Sequence, residues 1–91
     1  MESNVKQFAD ILNSMLNTYE RKNHDYGNSF EQSLNKFGSV AGIVRLADKM
    51  NRLETLVKKE AKVKDESIKD TLLDMANYAV MTLMWLEKNN K

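Results

Sequence analysis

The chain has 91 residues, a formal net charge of +1 at neutral pH, and neither cysteine nor proline. This length accommodates one domain, the near-neutral charge gives no reason to expect a nucleic-acid partner, and the missing thiols exclude disulfides and thiolate metal sites. No signal-peptide pattern opens the sequence, and its longest apolar stretch, residues 78–86, is too short to span a membrane. We therefore expect one cytoplasmic domain over residues 1–91 without membrane contact.

The first half of the chain predicts one long and one short helix. Apolar residues at helical spacing predict a helix from about Asn4 to Arg21. Residues 26–28 form a turn signal, and a short helix should follow, capped by Ser29 and ended by Gly38. The apolar residues of the first helix are Val5, Phe8, Ile11, Leu12, Met15, Leu16 and Tyr19.

The second half predicts two longer helices. Ser39 should cap a helix that runs to about Lys59, followed by a charged connector over 60–65. Ser67 with Asp70 resembles a capping box for a last helix, over residues 66–88, that is apolar on most sides and therefore buried. The third helix carries a nearly heptad row, namely Ile43, Leu46, Met50, Leu53 and Val57; the last carries Ile68, Leu72, Met75, Ala76, Ala79, Leu83 and Leu86.

These elements predict an all-α fold, a small bundle of three main helices plus one short helix. A chain this short buries a modest fraction of its surface, so apolar faces would stay uncovered. We therefore expect a homo-oligomer that completes the bundle.

A polar stripe interrupts the last helix. Asp70, Asp74 and Asn77 lie at positions i, i+4 and i+7 and project within one narrow sector. Two carboxylates one turn apart repel each other, so a cation, a basic side chain or water must compensate them. The ordinary alternative is that Asp70 caps the helix while Asp74 faces solvent, although the apolar neighbours of Asp74 argue against exposure.

The preceding helix carries a mixed-charge stripe. Arg45, Asp48, Lys49 and Arg52 share one sector, and antiparallel packing would place them opposite the acidic stripe. Opposite a phosphate, the basic members would be charge-assisted donors. A solvent-exposed face laced with intrahelical ion pairs is an equally good interpretation.

A third polar cluster lies between the first two helices. The loop over residues 22–28 offers the cation of Lys22, the imidazole of His24, the carboxylate of Asp25 and the ring of Tyr26. Loops of this kind often carry function. A surface histidine and a tyrosine that plugs the end of the bundle would explain the same residues.

Three segments together resemble a known family. They are Lys-Asn-His-Asp-Tyr-Gly-Asn at 22–28, Arg-Leu-Ala-Asp-Lys-Met-Asn-Arg-Leu at 45–53, and the segment 65–79. The sequence resembles the nucleotide-modification-associated domain family common in bacteriophages, over residues 18–86. The resemblance implies a phage or prophage protein that acts on nucleotides.

The last helix is more distantly similar to the MazG-like all-α nucleoside triphosphate pyrophosphatases. Asp70 and Asn77 keep the Asp-to-Asn spacing of those enzymes, but Ser67 stands where the first acid of their Glu-x-x-Asp motif is expected. Those enzymes carry a Glu-x-x-Glu motif on the preceding helix. Here that helix supplies Asp48, but Asn51 or Arg52 stands where the second acid is expected. Basic residues in that helix favour direct phosphate binding over a full metal site.

Three functions remain open at this stage. The first is hydrolysis of a nucleoside triphosphate to monophosphate and pyrophosphate, in which Asp48, Asp70 and Asp74 would hold Mg²⁺ and form the catalytic group. The second is sequestration of a cyclic-nucleotide or ADP-ribose-type immune signal, which would make the protein an anti-defence candidate. The third is a structural interaction module whose charges pair with each other. The nucleotide-binding candidates are Lys22, His24, Asp25, Tyr26, Arg45, Lys49, Arg52 and Asn77.

Overall fold

The computed structural model describes residues 2–22, 28–58 and 61–89, with the backbone alone over 61–66. These residues form four helices, so the predicted all-α class is confirmed. None of these helices is long and apolar enough to cross a membrane. The helices are α1 (Glu2–Arg21), α2 (Glu31–Phe37), α3 (Val40–Leu56) and α4 (Ala61–Asn89).

The core lies where α2 packs against α4. Leu34 is 1% exposed and contacts Phe30 and Met81, which are also buried. Tyr78 meets Phe30 edge-on, with ring centroids 4.9 Å apart, and the Trp85 indole donates a hydrogen bond to the side chain of Asn35 at 2.8 Å. These contacts anchor the short helix α2 to the C-terminal half of α4.

Gly38 makes the sharp turn between α2 and α3. Its φ of 77° lies in the region that favours glycine, and its N–H donates to the Leu34 carbonyl at 2.7 Å. The prediction that Gly38 ends the short helix is confirmed. Its ψ of −166° places it outside the left-handed helical conformation that was expected there.

The predicted side-chain caps do not form. Residues 28–30 make a wide π-helical turn that leads straight into α2, so Phe30, rather than Ser29, holds the N-cap position. Ser39 holds the N-cap position of α3 without a side-chain hydrogen bond; its carbonyl accepts from the N–H groups of Gly42 and Ile43 instead. In both places the chain enters the helix already in helical conformation, so a serine hydroxyl has no orphan N–H within its reach.

Two predicted boundaries between α3 and α4 are wrong. α3 ends at Leu56 rather than near Lys59, and α4 begins at Ala61, inside the predicted connector. Ser67 therefore lies within α4 and does not cap it. Its carbonyl accepts a hydrogen bond from the Thr71 hydroxyl at 2.7 Å, a bond that an interior helical turn allows.

The apolar rows predicted for α3 and α4 are only partly buried. In α3, Ile43 and Val57 are 59% exposed, Leu46 and Leu53 are half-buried, and Gly42 and Leu56 are buried although they lie outside the row. The middle of α4 is covered on most sides, because residues 73–78 are all half-buried or buried. Towards its C-terminal end α4 is more open, and Leu83 is 55% exposed.

Candidate functional site

The site begins with the packing of α3 against α4. Gly42 lies against Thr82, Lys49 pairs with Asp74, and Arg52 bonds to Thr71. As residue numbers rise along α3 they fall along α4, so the two helices run antiparallel, as the sequence predicts. This register brings two members of the mixed-charge stripe, Lys49 and Arg52, against Asp74 and Thr71 of α4.

An ion pair stands at the centre of this contact. Lys49 Nζ lies 2.9 Å from Asp74 Oδ2, and both side chains are less than one-third exposed. The Lys49 ammonium is also 6.0 Å from the ring centroid of Tyr78. Asp74 is therefore compensated by a basic side chain, one of the three means that the sequence left open.

A second polar contact lies one turn further along. Arg52 Nε donates to the Thr71 hydroxyl at 3.3 Å, and Thr71 in turn donates to the Ser67 carbonyl. These bonds use the Nε–H group of Arg52 and hold its guanidinium beside Asp70 and Asp74.

Two cavities flank the acidic residues of α4. The α1–α4 cavity, of about 340 Å³, is lined by Thr18, Arg21, Lys22, Asp70, Leu73, Asp74 and Asn77. The α3–α4 cavity, of about 300 Å³, is lined by Lys49, Arg52, Ser67, Asp70, Thr71 and Asp74. Asp70 and Asp74 line both, so the two cavities are neighbouring parts of one polar site.

The charges around this site are predominantly positive. Arg21 and Lys22 border it from the end of α1, and Lys49 and Arg52 border it from α3. Against two carboxylates, these four cations leave a formal excess of two positive charges. An anion that enters either cavity meets cationic side chains first, and it meets them on both sides of α4.

The polar stripe of α4 is graded in burial. Asp70 is exposed, Asp74 is half-buried, and Asn77 is 5% exposed. The prediction that a polar stripe accompanies the buried side of this helix is confirmed for Asp74 and Asn77. Asp70 projects into the cavities from the rim, where it remains accessible to a ligand.

Most of the predicted site residues that the structure describes come together. The two cavities unite Lys22, Lys49, Arg52, Asp70, Asp74 and Asn77. Arg45 is exposed and lies over the Tyr78 ring, 5.7 Å from its centroid, and lines neither cavity. Three further candidates lie outside the described residues, namely His24, Asp25 and Tyr26.

The predicted carboxylate triad does not assemble in the part of the chain that the structure describes. Asp48 is exposed and lines neither cavity, because it faces away from α4 on the helical turn that carries Lys49. Among the described side chains, no three Asp, Glu or His groups are placed to hold a metal ion. Asp70 and Asp74 remain as two carboxylates on successive turns of one helix.

Several lining residues were not among the predicted ones. Arg21 ends α1 and its guanidinium lies 3.4 Å from the Thr18 hydroxyl, so both line the α1–α4 cavity. Thr71 contributes its hydroxyl on the other side. The basic Arg21-Lys22 pair was the available signal for Arg21; Thr71 gave none, because a threonine in an apolar helix is usually a packing residue.

Comparison with known proteins supplies a family. No curated protein and no solved structure matches the chain. Residues 22–86 match the family described as nucleotide modification associated domain 1, and this range includes α2, α3 and most of α4. Since the match covers more than half of the sequence, the chain belongs to the nucleotide modification associated domain 1 family.

Proposed function

We propose that this protein binds a nucleotide, holding its phosphate groups with the cations of the two cavities. The observation that carries the proposal is the shared site itself, in which Asp70 and Asp74 lie between Arg21 and Lys22 on one side and Lys49 and Arg52 on the other. Family membership supports a nucleotide as the class of ligand.

The cations have distinct parts in this proposal. Arg21 is exposed and borders the α1–α4 cavity, so its guanidinium is available for two parallel hydrogen bonds to a phosphate. Arg52 is oriented by its bond to Thr71 and presents its remaining N–H groups to the α3–α4 cavity. Lys49 adds a compact charge whose position Asp74 fixes.

The carboxylates serve the polar parts of the ligand. Exposed Asp70 is placed to accept hydrogen bonds from sugar hydroxyls. Magnesium in proteins is commonly bound by one or two carboxylates together with substrate phosphates and several waters. Because Asp74 is paired with Lys49, Asp70 is the carboxylate that would contact a Mg²⁺ ion entering with the nucleotide, without Asp48.

Hydrolysis of a nucleoside triphosphate to monophosphate and pyrophosphate is the further step that the resemblance implies. Asp70 is the candidate to orient water, since it is exposed and lies in both cavities. Recovery of the nucleotide after binding distinguishes the outcomes: monophosphate and pyrophosphate identify an enzyme, and intact ligand identifies a sequestering protein.

A structural role is the second candidate. It is favoured by the Lys49–Asp74 ion pair and the Arg52–Thr71 hydrogen bond, which give these polar groups partners within the chain. Under that role, Asp74→Ala lowers stability and leaves any ligand affinity unchanged. Under the nucleotide-binding proposal, Asp74→Ala lowers affinity in a chain that still folds.

Isothermal titration calorimetry tests the proposal. The ligands are the eight common ribonucleoside and deoxyribonucleoside triphosphates, cyclic mononucleotides and dinucleotides, ADP-ribose and inorganic tripolyphosphate, each with and without Mg²⁺. Arg21→Gln should weaken the best ligand about tenfold or more, because a hydrogen bond to a charged group contributes about 1.5–3 kcal/mol. The matched control is Lys69→Gln, an exposed cation next to Asp70 that lines neither cavity.

The calorimetric results either support or contradict the proposed site. Loss of affinity in Arg21→Gln with unchanged affinity in Lys69→Gln supports the site. No binding heat with any of these ligands, or equal weakening in both variants, contradicts it. Circular dichroism of each variant establishes that the helices are intact.

A further inference from the structure

α1 carries an apolar stripe that the other described residues leave largely uncovered. None of its 20 residues is buried. Val5 is 70% exposed and Phe8 is 68% exposed, and Leu12 and Leu16 are each about half exposed. Tyr19, near its end, packs against the core, so the N-terminal part of the stripe is the part that gains little from packing within the described residues.

The total accessible surface of the chain is also larger than expected for a folded monomer of its mass. The accessible surface is 7043 Å², whereas the scaling for folded monomers gives about 5,400 Å² at a mass of 10.5 kDa. The radius of gyration is 14.7 Å, against about 12 Å for a compact domain of this length. The surplus of about 1,600 Å² is within the area that each partner buries in an obligate dimer.

Part of the uncovered apolar surface lines one groove between α1 and α4. Val80 and Met84 of α4 form one wall, and Leu12, Met15 and Leu16 of α1 form the other, around about 310 Å³. The groove continues along α1 past Phe8 and Val5. We call this surface the α1 groove; a single amphipathic helix would fill it.

We propose that a second copy of this chain covers the α1 groove, with the two α1 helices packed antiparallel. The occupant needs an apolar stripe of the same length, and α1 itself presents one. Its charges favour the antiparallel arrangement, because residues 2–11 have one net negative charge (Glu2, Lys6 and Asp10) whereas residues 12–22 have one net positive charge (Glu20, Arg21 and Lys22). A twofold pairing therefore places the acidic half of each helix near the basic end of the other.

The pairing would also affect the proposed nucleotide site. Only this link between pairing and nucleotide affinity rests on the proposed function. Thr18, Arg21 and Lys22, which line the α1–α4 cavity, lie at the end of α1, where Tyr19 is the residue of this helix that packs against the core. A second copy that clamps α1 against α4 would fix these side chains before the ligand arrives, which raises affinity. Dimer formation and nucleotide affinity should therefore fall together when the α1 groove is disrupted.

Analytical ultracentrifugation tests the pairing without any ligand. The wild-type chain should sediment at about twice 10.5 kDa, or a multiple of that unit, at micromolar concentration. Phe8→Asp should give monomers, because a carboxylate in the apolar contact would lose its water. Ser14→Asp is the matched control: it places the same charge on an exposed residue of the opposite face of α1 and should remain paired.

Further variants test which face of α1 forms the contact and whether each variant still folds. Val5→Asp is a second disruptive change near the helix start, where an acidic residue is compatible with the helix. The chain has no cysteine, so Leu12→Cys, near the middle of the stripe, should form a disulfide-linked dimer, and Ser14→Cys should not. Circular dichroism separates loss of pairing from loss of helix.

Each remaining outcome has one meaning. A monomeric wild-type chain, or an assembly that both Phe8→Asp and Val5→Asp leave intact, overturns the pairing. A dimer that binds no nucleotide keeps the pairing and refutes the proposed function. A folded Phe8→Asp monomer with undiminished affinity refutes the link between the two.

Discussion

Gly42 of α3 packs closely against Thr82 of α4, and a substitution at Gly42 tests this contact. A Cβ added at Gly42 would lie 2.7 Å from Thr82 Cγ2 and 3.0 Å from Thr82 Cβ. Thr82 has little freedom to move aside, since its hydroxyl donates to the Tyr78 carbonyl at 2.7 Å. We therefore expect Gly42→Ala to push the two helices apart.

The magnitude follows from two opposing effects. Overpacking of a close contact typically costs about 1–3 kcal/mol. Replacing glycine by alanine within a helix contributes up to about 1 kcal/mol in the opposite direction. Gly42→Ala should therefore lower the free energy of unfolding by about 1–2 kcal/mol, because the steric cost exceeds the gain in helix propensity.

A double substitution isolates the cause. Thr82→Ala removes the hydroxyl oxygen and Cγ2, the two nearest atoms that the new methyl group would meet, and leaves only Cβ at 3.0 Å, so Gly42→Ala should cost less in the Thr82→Ala background than in the wild-type chain. Urea denaturation followed by circular dichroism, at one fixed protein concentration, measures all four proteins. If Gly42→Ala stabilises the chain in the wild-type background, the close approach of α3 and α4 is refuted.

Two more substitutions test the core and the central ion pair. Leu34→Ala should cost about 2–5 kcal/mol of unfolding free energy, since Leu34 is 1% exposed, whereas Leu72→Ala, at 51% exposure, should change it by about 0.5 kcal/mol or less; equal losses in urea denaturation would contradict the assigned core. In a double-mutant cycle of Lys49→Met and Asp74→Asn, the coupling energy should be about 1 kcal/mol, the upper end for partly exposed pairs, because the two groups lie 2.9 Å apart. A coupling energy near zero at low salt would place the two side chains apart in solution.

The sequence predicted the helices better than their faces. Amphipathic spacing located α1 and α3 to within about three residues, because local periodicity alone decides where a helix forms. The apolar row of α3 was predicted to include Ile43 and Met50, which are exposed, as well as Leu46 and Leu53, which are half-buried. Gly42 lies directly against Thr82 on the neighbouring part of the helix, a close approach of α3 to α4 that hydropathy does not encode.

The sequence predicted some residues of the site and missed others. Asp74 stands out in sequence because apolar residues flank it, and Lys49 because it belongs to the mixed-charge stripe of α3; the structure pairs them. Asp48 has the same chemistry but lies one residue away, about 100° around the helix, so it belongs to another face. Arg21 was missed because its place in the cavity depends on how α1 meets α4, which one helix alone does not reveal.

Native mass spectrometry of the purified wild-type chain tests the central claim most directly. With a saturating amount of the best nucleotide from the calorimetric panel, we expect the mass of the protein to increase by that of one bound nucleotide per chain, and Arg21→Gln should largely lose this increase. A wild-type protein whose mass stays unchanged with every nucleotide of the panel would contradict the claim that the cationic site around Asp70 and Asp74 binds nucleotides.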